Sequence, residues 1–479
     1  LSLAPWLWLL ALGLPWALGL ALLEALDVRR RAGLLFTLGA GWCLGALLLS
    51  LAIFLLAACG SAPRLALLVP VQFFGIGLGL WLARRRPPCD EAAAPLPWHA
   101  RLLFGLALAA ALLPCADRMA RSLGTPIHRS DEAHLWASRA RLLHESGGFN
   151  PAYAAEFDRR IQVPDGSVPF FVQHPDYPHL GPNLQAWVFA VAGRVTWSEN
   201  RLPLELFGPA LLLMLAGLLR RAVRWPIAAG IPLLLSLAFP FQQAVTIAYL
   251  DLAVAAGLLL ASIGWLWLRE RGESRWFALF AAGLALLLSA KHEGALLSLA
   301  LVLACAADGL GLARRGALPR PPRGAYAWLL LPLACLALVW AFNRQFGFQN
   351  DLLSDNPRGQ PFLLLFLEQL AERGPAVLAY FAELQLVDLP QHLGLPAALL
   401  LLLLARHRRV LTSPALAPAV SVVLATAGFA VVFVGTPHDL DWHLDTAAYR
   451  VLFQLLPANA LAVALLLDEA WSDLRSRAA

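Results

Sequence analysis

The stretch LLFTLGAGWCLGALLLSLAIFLLAA, Leu34 to Ala58, carries no charge from end to end, and LALLVPVQFFGIGLGLWLA, Leu65 to Ala83, follows it after a short break. A helix rises 1.5 Å per residue and the hydrocarbon layer is about 30 Å thick, so roughly 20 mostly apolar residues make one crossing. Runs of this kind recur along nearly the whole chain. They read as about thirteen spans: Trp6 to Leu26, Leu34 to Ala58, Leu65 to Ala83, Leu102 to Ala116, Leu204 to Leu219, Ile227 to Leu250, Leu252 to Leu268, Trp276 to Ala290, Ala295 to Ala313, Ala325 to Phe342, Val387 to Ala405, Leu416 to Val434 and Val451 to Leu467.

Composition agrees. The 479 residues are 59% hydrophobic and only 14% charged, with a mean hydropathy of +0.65. That charge fraction is far below what soluble domains carry, which excludes a disordered chain, a collagen-like repeat and a soluble enzyme on a single anchor. The expected fold class is all-α, a polytopic transmembrane helical bundle with a partly helical long loop on the non-cytoplasmic face. The formal charge of +6 does not call for nucleic acid, because the arginines form short clusters between apolar runs. The six cysteines show no close paired spacing, so neither a disulfide framework nor a zinc knuckle is read. Trp6 to Leu26 is read as a retained span rather than a secretion signal, since Arg29 to Arg31 follow it without a small-residue cleavage pattern.

The arginine clusters order the topology. They fall at Arg29 to Arg31, Arg84 to Arg86, Arg220 with Arg221 and Arg224, Arg269 with Arg271 and Arg275, Arg314 to Arg323, Arg406 to Arg409, and Arg475 with Arg477. The positive-inside rule makes these loops cytoplasmic, and one parity satisfies all of them if Asn183 to Trp197 does not cross fully. The same parity sends the polar clusters to the opposite face. These are the loop Asp117 to Pro182, the turn Tyr249 to Asp251, the turn Lys291 to Glu293, the segment Phe346 to Gln391 and the loop Thr436 to Arg450. The spans hold almost no ionisable residue near mid-depth, which disfavours a proton-coupled transporter.

Four elements on that face carry candidate chemistry. The first, HRSDEAHLWASRARLLHESGGF, reads as a helix lying on the membrane surface. Ser130 is its N-cap, Asp131 and Glu132 sit in the first turn, and Leu135, Trp136, Ala140 and Leu143 form an apolar stripe. Paired acids at a helix start serve as capping chemistry or as functional carboxylates, and both readings stay open. The second, HPDYPHLGPN from His174 to Asn183, is stiffened by three prolines and delivers the chain in a fixed direction; its His174, Asp176 and Tyr177 are binding candidates, with a metal as one alternative. The third, AKHEGALL, places Lys291, His292 and Glu293 at the outer end of an apolar helix. Lysine there snorkels to headgroups or binds a lipid phosphate, with Gly294 allowing close approach. The fourth, TPHDLDWHLDTAAYR, holds His438, Asp439, Asp441, His443 and Asp445 ahead of Arg450, whose charge at a helix start opposes the dipole and fits an anionic partner.

These elements resemble the GT-C type of membrane glycosyltransferase, in particular the protein O-mannosyltransferase and lipid A aminoarabinose transferase group. The likeness rests on Asp131 and Glu132 in the first long outer loop, HPDYP closing it, the turn YLD ending at Asp251, KHEG at 291 to 294 and WHLDTAAYR at 442 to 450, and it covers roughly 102 to 450. Three spans precede the family's opening helix, so 1–100 reads as an N-terminal extension to a catalytic module at 101–470. HPDYP replaces the double-proline form usual in the mannosyltransferases. The resemblance implies that Asp131 is the general base, that Glu132 positions it or binds a metal weakly, and that Lys291 and Arg450 hold a carrier phosphate. The remaining binding candidates are His174, Asp176, Tyr177, Asp251, His292, Glu293 and His438.

The chemistry is consistent with those roles. Inverting transfer needs a carboxylate that takes the acceptor hydroxyl's proton and positive charge where the phosphate leaves, supplied by lysine, arginine or a divalent cation. No Gly-rich phosphate loop appears, so no nucleotide cofactor is expected. The expectation is a glycosyltransferase of the bacterial inner membrane, working on its periplasmic side, with a polyprenyl-phosphate-linked sugar as donor and a glycan, lipid or protein as acceptor. The alternatives are a surface-polysaccharide polymerase or ligase, a lipid-linked saccharide flippase, and an envelope scaffold.

Overall fold

The computed structural model describes residues 5–86, 96–127, 131–155, 174–350, 360–388 and 392–478. Among these residues the chain is all helical, without a strand. Nine helices are long and apolar enough to cross a membrane, and the bent pair Leu440–Phe453 and Leu456–Ser476, with 44° between its halves, makes a tenth if it counts as one span. This is a multi-pass membrane protein.

The count falls below the thirteen read from hydropathy because three of the apolar runs form helices of 17 residues or fewer. Ile227 to Leu250 is divided, since the helix Trp225–Leu237 ends where Ala238 turns extended ahead of Pro240. Val387 to Ala405 yields only Leu395–Ala405, which starts after Gly394 in the left-handed conformation. Ser274–Ala290 stops at 17 residues, about 26 Å of rise, where Lys291 is extended. Conversely, the polar segment Phe346 to Gln391 contains a 21-residue helix, Phe362–Ala382, that hydropathy passes over because Glu368, Glu372 and Arg373 interrupt it. Asn183 to Trp197 does not form a crossing helix. Its helical part belongs to Leu180–Ala192, whose 13 residues rise only about 20 Å. That helix is inserted among the first spans, with Trp187 donating to the Ala11 carbonyl and Asn183 to the Ser50 carbonyl.

The centre of the bundle is the antiparallel pair Asp251–Arg271 and Ser274–Ala290. A Cβ on Gly283 would stand 2.4 Å from the Ala261 nitrogen, and one on Gly264 2.4 Å from that of Phe280, so these glycines set the backbone spacing. Small residues at helix contacts are the usual means of close packing where lipid removes the hydrophobic drive between helices. Leu34–Ala58 packs along Phe207–Ala222, so the first spans share one hydrophobic core with the rest of the chain.

Helix direction sorts the charges to two ends. Asp251–Arg271, Glu293–Arg314 and Leu456–Ala478 all begin near a polar cluster and finish in an arginine-rich one, while Ser274–Ala290 runs the other way. At the arginine end, Arg31 pairs with Glu273 at 2.9 Å, Arg275 with Asp27 at 2.7 Å, Arg269 with Asp308 at 3.1 Å, Arg224 with Asp468 at 3.3 Å and Arg406 with Asp473 at 2.8 Å. Arg221 also reaches the Arg31 carbonyl. Arginines from distant loops thus share one end, and the candidate residues lie at the other.

Candidate functional site

Asp251 is the first residue of its helix and Glu293 of another, where the helix dipole favours negative charge; Lys291 follows the C-terminus of Ser274–Ala290, where it favours positive charge. Lys291 Nζ lies 3.1 Å from Asp251 Oδ1 and 2.9 Å from Glu293 Oε1. Burial works against the lysine's charge, but the two carboxylates outweigh it and raise its pKa. Gly294 does not leave room for a ligand. A Cβ there would stand 1.9 Å from the Leu287 carbonyl oxygen, so the glycine lets two helices of this chain meet.

Arg450 joins this group from the far end of the sequence. It lies in the last turn of the helical stretch Leu440–Phe453, just before the bend in the final span, so a cation there runs with the dipole of that stretch and not against it. Its Nη1 donates to Asp131 Oδ2 at 2.7 Å, its Nε is 3.6 Å from Asp251 Oδ2, and its guanidinium lies over the Tyr249 ring, 4.3 Å from the centroid. Burial, followed by the Asp131 carboxylate, pushes the Tyr249 hydroxyl up from its ordinary pKa. Gln454, one helical turn past Arg450, donates to Asp251 Oδ1 at 2.6 Å. Asp131, Arg450, Asp251, Lys291 and Glu293 form one continuous chain of charges.

Asp131 sits on a wide π-type turn, Asp131–Ala137, that runs into the helix Ser138–Ser146 and ends at left-handed Gly147. The N-cap reading of Ser130 lies outside the described residues. The apolar stripe Leu135, Trp136, Ala140 and Leu143 is buried in the protein, with the helix packed on Leu180–Ala192, and does not lie on lipid. Glu132 turns away from Asp131 into the wall. Its Oε1 accepts from the Ala248 nitrogen at 2.7 Å, and its Oε2 lies 3.6 Å from Arg201 Nη2. Arg201 in turn neighbours Glu205, which accepts from Ser122 Oγ at 2.8 Å.

HPDYP makes a second cluster beside the first. Asp176 Oδ2 is 2.7 Å from His292 Nε2 and accepts from Asn350 at 3.2 Å, while Asn343 donates to the Asp176 carbonyl. Burial alone would raise the Asp176 pKa, but the hydrogen bond and charge of His292 hold it below its ordinary value. Tyr177 sets its ring edge against His292 at 4.7 Å, and His174, at φ +48°, packs its ring on Tyr177 at 5.4 Å. On the other side Arg139 donates to the Tyr177 carbonyl at 2.6 Å and meets His179 Nε2 at 3.1 Å. His438 belongs to a third group: its ring packs against Trp442 and His443, and its carbonyl accepts from Arg373.

Sequence reasoning missed Arg201, Arg139, Gln454, Asn343 and Asn350, and named Tyr249 only as part of the YLD turn, without a role. Only Gln454 left a signal, its i+4 spacing from Arg450 placing both on one helix face. Among the described residues no group of three or more His, Cys, Asp or Glu side chains is placed to hold a metal ion. A small cavity of about 20 Å³, room for roughly one water, lies beside Arg450, lined mainly by Pro240, Ile247, Tyr249, Tyr449 and Phe453. No family model matches the chain, and neither does any curated protein or solved structure.

Proposed function

We propose that this protein is a membrane glycosyltransferase that moves a sugar from a polyprenyl-phosphate carrier to an acceptor hydroxyl on the non-cytoplasmic side of the bacterial inner membrane. The observation that carries the reading is the meeting of Asp131 and Arg450, 319 residues apart, at 2.7 Å beside a small, mainly apolar cavity at the end of the bundle away from the arginine belt. A carboxylate for the incoming hydroxyl and a guanidinium for the leaving phosphate are the two charges the reaction needs. The side chains next to Arg450 are mainly apolar, which suits a phosphate carried on a lipid. Arg450 is the cation that meets the phosphate in this reading. Lys291, 3% exposed and enclosed by two carboxylates, acts through Asp251, which it fixes under Arg450.

The test is transfer from labelled polyprenyl-phosphate sugars in vesicles carrying the purified protein. Asp131→Asn keeps the side-chain shape and cannot take the proton, so the rate should drop by about 100-fold or more. An asparagine variant as active as the parent protein would remove Asp131 from the chemistry.

A further inference from the structure

We propose that the Asp131–Arg450 ion pair is the closed, resting form of the site, and that the phosphate of a lipid-borne donor opens it by taking Arg450. The proposal rests on the function inferred above and adds an order to it, donor before acceptor.

Not every partner of Arg450 is able to leave. Asp251 is not. It is 4% exposed in its side chain and is also held by Lys291 at 3.1 Å and Gln454 at 2.6 Å, so letting go of Arg450 would not move it. Tyr249 is fixed in the wall as the face on which the guanidinium lies. Asp131 is 31% exposed in its side chain and rides on a wide helical turn, so it is the partner that water receives at low cost. While it stays, Oδ2 is held by the Nη1 proton and the carboxylate has only Oδ1 left to offer an acceptor hydroxyl. A phosphate offers Arg450 more charge and a matching bidentate face, and it displaces a single carboxylate contact. The small cavity beside Arg450 is lined by Pro240, Ile247 and Phe453, so an anion that meets the guanidinium there has apolar surface next to it, which favours one carried on an apolar chain over a free ion.

Once released, Asp131 takes the proton of the acceptor hydroxyl as that oxygen forms its bond to the anomeric carbon. The bond from this carbon to the phosphate oxygen breaks, and its electron pair leaves with the phosphate, whose new charge remains on Arg450. Departure of the phosphate lets Asp131, its proton passed to water, return to the arginine. Premature reaction is slowed because the carboxylate is released from Arg450, with both oxygens open to the acceptor, only when the donor phosphate is seated.

Binding of farnesyl phosphate to the full chain in nanodiscs tests this, with farnesol and inorganic phosphate as parallel probes. Asp131→Asn removes the competitor for Arg450, so it should tighten farnesyl phosphate binding by about three- to tenfold although it abolishes transfer. Arg450→Gln should lose binding with or without Asp131, and Arg450→Lys should keep part of it, which separates charge loss from misfolding. Binding that is unchanged or weaker in Asp131→Asn, with Arg450→Gln still defective, would overturn the masking and leave Arg450 as the phosphate residue. Full binding by Arg450→Gln would overturn the donor reading itself. Inorganic phosphate binding as tightly as farnesyl phosphate would overturn the lipid-borne source.

Discussion

Lys291 and Asp251 meet at 3.1 Å at one end of the central antiparallel helix pair, and both side chains are almost wholly buried. Removing one member of such a pair leaves the other charge uncompensated, at about 3–5 kcal/mol. Asp251 keeps Gln454 and Arg450, so Lys291→Ala should cost about 3 kcal/mol, the lower end of that range. The double variant Lys291→Ala with Asp251→Asn should recover part of the loss. Thermal unfolding of the four proteins in one detergent closes the cycle, and a Lys291→Ala protein as stable as the parent would show the pair contributes nothing.

Gly294 permits a helix to start against another, because a methyl group there would stand 1.9 Å from the Leu287 carbonyl oxygen, which is backbone and does not swing aside. Gly294→Ala should therefore cost about 1–3 kcal/mol or more and lower the yield of monodisperse protein. Gly105, inside Trp98–Leu123, has nothing within 4 Å of the same added atom. Gly105→Ala should gain up to about 1 kcal/mol of helix propensity. Equal behaviour of the two alanines in a melting experiment would contradict the packing described for Gly294.

His179 lies in a pocket of Phe54, Phe149 and Phe342 rings with Arg139 at 3.1 Å, and burial, then the arginine, lowers its pKa well below the usual 6.5. The folded protein keeps this ring neutral where the unfolded chain protonates it. The unfolded state thus binds more protons below pH 6.5, and stability falls as pH drops from there toward the depressed folded value, by up to about 1.4 kcal/mol per pH unit. Above pH 7 the residue adds no slope. His179→Phe should flatten the acid limb of a melting-temperature profile between pH 7 and pH 5, and an unchanged limb would assign the acid sensitivity elsewhere.

Much of this architecture is legible in the chain, for reasons that also explain what is not. Asp251 and Lys291 stand out because each is a charge at the edge of an apolar run, and the arginine loops foretell a common end that the Arg31, Arg275 and Arg406 ion pairs display. Pairing over 319 residues, as between Asp131 and Arg450, leaves no local trace. Arg139 and Arg201 look like ordinary loop arginines until their burial is seen, since their partners, His179 and Glu132, come from other elements. Hydropathy counts residues and ignores where the backbone breaks, so Pro240 and Gly394 turn apparent crossings into short helices. Phe362–Ala382 is lost for the opposite reason, since its charges mask a helix whose Leu363, Leu367 and Leu378 are exposed.

Glu132 and Asp131 are adjacent in sequence, yet their side chains enter different surroundings, and this separates their roles. Asp131 meets Arg450 at a part-exposed site, whereas Glu132 is 1% exposed and ties the wide turn to the Ala248 nitrogen, next to Tyr249. Glutamine keeps an oxygen able to accept from Ala248 and loses the charge opposite Arg201, whose other carboxylate, Glu205, remains. Glu132→Gln should therefore lower stability by about 1–3 kcal/mol while transfer falls by less than about tenfold. Asp131→Asn should do the reverse, with near-normal melting and a loss of about 100-fold or more. The discriminating readout is the pH dependence of transfer, because a positioning carboxylate leaves the profile's acid limb in place and a proton-accepting one takes it away. A Glu132→Gln enzyme that loses both its rate and that limb would move the base from Asp131 to Glu132 and detach the chemistry from Arg450.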